Sequence, residues 1–271
     1  MIDSNFPFGE DALRELELWP LIKMQQGSVP AAQISAPVTN TVAPTRAAGI
    51  PRAKETAGVR PSPVRSPPSI AVTSTPDPAR VARISTLDWE ALAAEAAACA
   101  ACGLCRQRKQ AVLGVGAANA PWLFVGEGPG SEEDDQGEPF VGPAGKLLDA
   151  MLAAAGLQRG REVYIANVVK CRPPGNRNPS GDEALACAPL LDRQIDLIQP
   201  TLIVALGKIA LTRLTGSDAS MGSMRGTVHA YRGIPVVATY HPAYLLRNLP
   251  DKLKAWEDLM FAKRTLIAAK R

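Results

Sequence analysis

No stretch of the 271 residues approaches the ~18 consecutive apolar side chains that a membrane-spanning helix needs, so a membrane protein is not expected. The opening Met1-Ile2-Asp3-Ser4 lacks a basic segment followed by an apolar one, and a secretory signal is not expected either. Charge of one sign is also missing. Lys and Arg number 30, Asp and Glu 26, and the formal net charge of +4 is too weak for a histone-like or arm-type nucleic-acid binder. No fixed-period repeat is present, which excludes a solenoid. The five cysteines are odd in number and confined to the middle of the chain, between Cys99 and Cys187. That argues against a secreted disulfide scaffold and for metal or redox chemistry in a reducing, cytoplasmic compartment.

What is present is unevenly distributed. Residues 1–27 carry two basic and five acidic side chains, a charge of −3. Residues 28–85 carry seven basic and two acidic, +5, with ten of the 24 prolines and no Phe, Trp or Tyr. Residues 86–271 carry 21 basic and 19 acidic, +2. The middle stretch cannot bury enough apolar surface to offset its ordering entropy and reads as a disordered, Pro/Ala-rich linker. The head holds Phe6, Phe8, Leu13, Leu16, Leu18, Trp19, Leu21 and Ile22. It reads either as a docking peptide for a protein partner or as a terminus that does nothing.

Within 86–271, apolar runs at Trp122–Val125, Val163–Val169, Thr201–Leu206 and Pro235–Thr239 predict four strands. They alternate with predicted helices that end near Ala98, span Pro143–Ala155 and Gly181–Ile198, end near Leu214, and span Leu253–Ala269. The alternation predicts an α/β fold: a three-layer α/β/α sandwich around a four-stranded parallel sheet, behind a disordered N-terminal extension. Ligands of such folds bind beyond the carboxyl ends of the strands. The unusual segments 126–145, 167–179 and 240–247 all lie at such ends.

Cys99-x2-Cys102-x2-Cys105 follows the first helix, and Cys171-x15-Cys187 follows the second strand. Four thiolates brought together bind zinc or an iron–sulfur cluster. The second spacing departs from the paired C-x2-C of zinc ribbons, and a cluster tolerates scattered ligands better. The bland alternative is a set of buried small apolar residues.

Gly126-Glu127-Gly128-Pro129-Gly130 permits close backbone approach. It is not GxGxxG, and no P-loop lysine follows, so a nucleotide site is a poor reading. Glu127 is the first carboxylate out of its strand. The run Glu132 to Asp135 reads as a solvated face. Phe140 could stack on a planar ligand or fill core. Asn167 carries an amide able to read a pyrimidine edge or to cap a loop. His241, one of two histidines, opens His241-Pro242-Ala243-Tyr244-Leu245-Leu246-Arg247. Leu245 and Leu246 could pack or wedge into a base stack.

Taken in order, these segments resemble the family 4, iron–sulfur branch of the uracil-DNA glycosylases, over about residues 90–267. The carriers are Cys99-x2-Cys102, Gly126 to Gly130, Pro139-Phe140-Val141-Gly142-x-Ala144-Gly145, Asn167-Val168-Val169-Lys170-Cys171-Arg172-Pro173-Pro174, Cys187 and His241 to Arg247. The resemblance implies a glycosylase domain over 86–271, acting as a monomer on uracil in single- or double-stranded DNA to leave an abasic site. It implies a [4Fe-4S] cluster on Cys99, Cys102, Cys171 and Cys187, with Cys105 outside the set. It implies that Phe140 stacks on a flipped uracil and Asn167 reads its edge. Gly126 and Gly128 close the pocket with backbone groups, Glu127 is the catalytic carboxylate, His241 donates to uracil O2, and Leu245 is the wedge. Lys170, Arg172, Arg177 and Arg247 are the expected basic rim. A linked branch of the superfamily crosslinks to its product through a histidine after the second strand. Arg172 to Pro179 has none, which disfavours a suicide binder. The rival reading is a non-catalytic iron–sulfur DNA-binding module of the replication or repair machinery.

Overall fold

The structure, a computed structural model, describes residues 77–269. The proposed docking peptide and residues 28–76 of the linker lie outside the described residues. The linker boundary at 85 requires correction. Helix α1 (Pro78–Ile84) is capped by the Asp77 carboxylate, which accepts from Ala79 N at 3.0 Å, and it buries Ile84 in the core. The folded unit therefore includes residues 77–85.

Helix α2 (Trp89–Ala98) begins where the Asp88 side chain accepts from Ala91 N. Its N-terminal donors are satisfied by a side chain whose backbone stays extended. A 3₁₀ turn at Gly103–Arg106 follows, then strands β1 (Val115–Gly116) and β2 (Trp122–Gly126). Helices α3 (Ser131–Gln136) and α4 (Pro143–Ala154) lead to β3 (Val163–Asn167). A second 3₁₀ turn, Pro174–Asn176, precedes α5 (Gly181–Ile198), opened by a Ser180/Glu183 capping box. Strand β4 (Leu202–Leu206), helices α6 (Lys208–Thr215) and α7 (Met221–Met224), and strands β5 (Val228–Tyr231) and β6 (Ile234–Thr239) follow. The short α8 (Pro242–Leu245) and long α9 (Asp251–Ala269) close the described chain.

The sheet has six strands in the order β1-β3-β2-β4-β6-β5. The inner four pair parallel and are the four predicted strands. Both edges are antiparallel, β1 on β3 and β5 on β6, so the sheet is mixed and six-stranded rather than four-stranded and parallel. β1 is two residues long, and β5 alternates exposed and half-buried positions. Neither gives the continuous apolar run that marks an inner strand.

Strands β2, β3 and β4 are buried at every position. One face (Phe124, Ile165, Val204, Val237) packs against α4 and α9 through Leu148, Met151 and Leu259. The other (Leu123, Val125, Ala166, Ile203, Ala205) packs against α2, α5 and α6 through Leu92, Leu191 and Leu211. Full burial of each Val, Leu, Ile, Phe or Met among these stabilises by roughly 1.5–3 kcal/mol. Register then places the site. Gly126 pairs with Asn167, so Glu127 and Asn167 emerge side by side. Leu206 pairs with Thr239, and His241 stands two residues beyond that pair.

Candidate active site and sulfur centre

At the carboxyl ends of the inner strands lies a cleft of about 460 Å³. Glu127, Phe140, Asn167, His241 and Arg247 line it, from loops after β2, β3 and β6. Asn167 is 1% exposed, and its Oδ1 is buried with no hydrogen-bond partner in the protein. An unpaired buried acceptor costs about 1–3 kcal/mol, which a ligand donor can relieve.

Phe140 is buried with φ of 56°, a left-handed conformation that costs a non-glycine residue about 1–3 kcal/mol. Two features enforce it. A Cβ on Gly145 would lie 1.8 Å from the Phe140 carbonyl oxygen, so only glycine lets α4 start this close. Arg159 donates to the carbonyls of Pro139 at 2.7 Å and Phe140 at 2.8 Å, and its Nε donates to Asp149 at 2.9 Å. The phenyl ring and the His241 imidazole lie 5.5 Å apart between centroids. Between Phe140 and Asn167, Gly126 leaves a gap: a Cβ there would sit 2.4 Å from Asn167 Oδ1 and 2.6 Å from Phe140 Cζ.

Glu127 is half-buried, and burial alone raises its carboxyl pKa. His241 caps α8, its Nδ1 accepting from Ala243 N at 3.2 Å. Nδ1 is thereby the unprotonated nitrogen, and the ring proton belongs on Nε2. Burial, with a smaller contribution from Arg247, pushes the His241 pKa down to about 4. The imidazole is neutral at physiological pH. The second histidine, His229, lies against Met224 O on β5 and lines no part of the cleft.

Several expectations change. The acidic run is only in part a solvated face: Glu132 and Asp135 are exposed, but Glu133 and Asp134 are not. Glu133 accepts from Gly130, Val141 and Gly142 backbone N–H groups at 3.1, 2.9 and 3.0 Å, stitching the glycine loop to the Phe140 loop. Asp134 is buried and accepts from Lys109 N. Leu245 is no wedge: it is 0% exposed and packs in the core beneath α8, whereas Leu246 is 42% exposed. Lys170 is no rim residue: it is 1% exposed, and its Nζ donates to Asn167 O at 2.7 Å. Arg172 is half-buried and donates to Asn176. Arg177, though paired with Glu183, and Arg247 do line the cleft. Gly128 lines it as well. Glu133 and Arg159 were not singled out from sequence. Glu133 lies three residues after a glycine, which lacks the hydroxyl of a capping-box signal, and Arg159 carried no signal either.

A second, smaller cavity is lined by all five cysteines, Arg108 and Lys170. Cys99 Sγ accepts from Arg80 at 3.4 Å, Cys171 Sγ from Arg108 at 2.8 Å, and Cys187 Sγ from Lys170 N at 3.3 Å. Among the described residues no three His, Cys, Asp or Glu side chains converge as a site for one metal ion. Thiols ringed by cationic and N–H donors fit an anionic, sulfur-ligated cluster, which takes one thiolate per iron. Cys105 borders the same cavity as the four expected ligands.

Comparison with known proteins agrees with this geometry. The Uracil DNA glycosylase superfamily model matches residues 113–260. The chain is 46% identical over 160 residues to the type-4 uracil-DNA glycosylase of Thermotoga maritima, covering 58% of this chain and 83% of that protein. It is 44% identical over 173 residues to the type-4 enzyme of Sulfurisphaera tokodaii, covering 60% and 78% respectively. It is 43% identical over 169 residues to that of Saccharolobus solfataricus, covering 59% and 77%. With the motif-bearing loops gathered at one cleft and the cysteines at one cavity, the chain belongs to the uracil-DNA glycosylase superfamily, in its type-4 branch.

Proposed function

We propose that the protein is a monofunctional uracil-DNA glycosylase that hydrolyses the N-glycosidic bond of deoxyuridine in DNA and leaves an abasic site. The observation that carries the reading is the orphaned, buried Oδ1 of Asn167 facing the cleft beside the Phe140 ring. Uracil N3–H is a donor suited to that acceptor. Cytosine presents a lone pair at the same position and would leave two acceptors opposed. Phe140 supplies the stacking face for a base swung out of the duplex. As the bond lengthens, negative charge gathers on uracil O2 and positive charge on the sugar. The neutral His241 donates from Nε2 to the former. The ionised Glu127 carboxylate stabilises the latter and orients water. No lysine is among the residues lining the cleft, in keeping with hydrolysis rather than Schiff-base chemistry.

Cys99, Cys102, Cys171 and Cys187 would hold a [4Fe-4S] cluster, which would tie α2, α5 and the segment after β3 together. Arg177 and Arg247 would meet DNA phosphates. Leu246, rather than Leu245, is the exposed apolar side chain available to fill the gap left by the flipped base. The unpaired cysteines suit a reducing cytoplasm.

The test is a uracil-containing oligonucleotide treated with cluster-loaded protein and then alkali. Strand scission only at uracil is expected; intact strands from loaded protein would overturn the reading. His241→Ala should slow single-turnover excision by on the order of 10²-fold. An unchanged rate would remove His241 from the chemistry.

A further inference from the structure

Lys170 has no place in the chemistry above, and its burial is costly. An ammonium removed from water is disfavoured by several kcal/mol, in order-of-magnitude terms, unless partners compensate it. Here the side chain is 1% exposed and lines the cysteine cavity, flanked by Cys171 and Cys187. Its Nζ donates to the main-chain carbonyl of Asn167 at 2.7 Å. Its own backbone is pinned on both sides: Lys170 N donates to Cys187 Sγ at 3.3 Å, and Lys170 O accepts from Val112 N at 2.8 Å.

Asn167 is the last residue of β3. Beyond it the backbone leaves regular pairing, held to the β2 side by Val168 N to Gly126 O and Val169 N to Glu127 O. The aim of the Asn167 amide depends on the main chain at that transition. A charged donor on its carbonyl is a stronger tether than a neutral one. The same side chain therefore touches the peptide that carries the amide and borders the cavity that gathers the thiols.

We propose that Lys170 is a positioning residue whose buried ammonium, seated beside the sulfur centre, fixes the Asn167 peptide and so aims the amide at the base. The thiolates of a loaded cluster compensate the ammonium charge, so the sulfur centre supports base reading through Lys170. This rests on the assignment of Asn167 as the base reader, and the experiment separates the two.

Lys170→Met, close in volume and without a donor, is compared with the native protein in two backgrounds, native and Asn167→Ala. All proteins are full-length and cluster-loaded. Iron content, thermal midpoint and single-turnover excision of uracil are read for each. With iron content at the native level, Lys170→Met is expected to slow excision about 10-fold in the native background. It should slow excision less than twofold when Asn167 is already alanine, because neighbours that act through one group are not additive. Any change in thermal midpoint should be the same in both backgrounds. Equal slowing in both backgrounds, or none in either, would overturn the proposal. Should the methionine variant fail to load iron, Lys170→Gln, whose shorter, neutral side chain removes the charged donor, takes its place in the same comparison with the same expected slowing. Loss of iron in both variants would make Lys170 a support of the cluster alone and would also overturn the proposal. If Asn167→Ala itself excises at the native rate, the base-reader assignment falls. If Asn167→Ala is crippled while Lys170→Met is not, that assignment stands and only the tether falls.

Discussion

In the cleft at the strand ends, polar groups are held apart from the partners they could have. Asn167 Oδ1 is buried and unpaired, Glu127 is half-buried with its pKa raised by desolvation, and the His241 proton is directed away from its cap. In the sulfur cavity the reverse holds. Cys99, Cys171 and Cys187 each accept a hydrogen bond, two of them from guanidinium groups. The first arrangement stores unmet hydrogen-bonding capacity and backbone strain for a ligand to relieve. The second suits a resident anionic group such as the proposed cluster. A pocket of the first kind is sensitive to small changes in shape, because its polar groups have nothing else to bind. A site of the second kind tolerates loss of one donor, since the remaining donors still balance the charge.

The sharpest way to break this contrast is to fill the cleft without touching the sulfur site. In Gly126→Ala the added Cβ would meet Asn167 Oδ1 at 2.4 Å and the Phe140 ring at 2.6 Å. Both belong to elements that cannot retreat, one buried at the end of β3 and the other fixed by Gly145 and Arg159. Uracil excision should fall by at least ~10²-fold, as displacement of reacting groups by about 1 Å does. Absorbance near 400 nm and iron content should be unchanged. Excision at the native rate would show that the base does not enter between Asn167 and Phe140.

The next effect is on pH dependence. In the proposed mechanism Glu127 works ionised, and burial raises its pKa, so the excision rate should fall with decreasing pH at values above the ordinary carboxylate range. In the same mechanism His241 would work neutral and, at about 4, titrates too low to set that limb. Glu127→Gln should therefore be slower by about 10-fold or more and flat across the acid limb. His241→Ala should be slower with the limb retained. A limb that vanishes with His241 and survives loss of Glu127 would exchange their roles.

How much of this was readable from residues alone follows the same division. Glu127 and His241 were legible as polar residues just after an apolar run, and Asn167 as the polar residue that interrupts one near its end, and parallel strands bring such positions to one edge. The inner strands were legible for the same reason, while β5, with alternating exposed positions at an edge, was not. Leu245 and Leu246 are adjacent and chemically equivalent. Only the orientation of the one-turn helix α8 decides which is buried, and sequence spacing does not fix that. Lys170 in a basic, loop-like segment reads as a surface residue; it is buried against the cavity lined by Cys99, Cys102 and Cys187, which are distant in sequence. Arg159 acts on carbonyls about 20 residues away from a loop with no pattern of its own. Side chains that present chemistry could be read, and those that hold other side chains in place could not.

The smallest expected effect on excision tests the sulfur side of the contrast. Arg108 Nη1 donates to Cys171 Sγ at 2.8 Å while Nη2 is tied to Ala97 O, so the guanidinium bridges the segment after β3 to the end of α2. Arg108→Met keeps the apolar stem and removes the donor. Loss of a partner behind a ligand weakens a metal site by about 10-fold or more, so aerobic bleaching near 400 nm should be faster by about that factor. Excision per loaded protein should stay within about twofold of native, because Arg80 and the Lys170 N–H still serve the other sulfurs and Arg108 is not among the residues that line the cleft. If excision per loaded protein instead fell as far as in Gly126→Ala, the two regions could not be the independently satisfied sites described above. The sulfur centre would then act on the base through more than the single Lys170 tether.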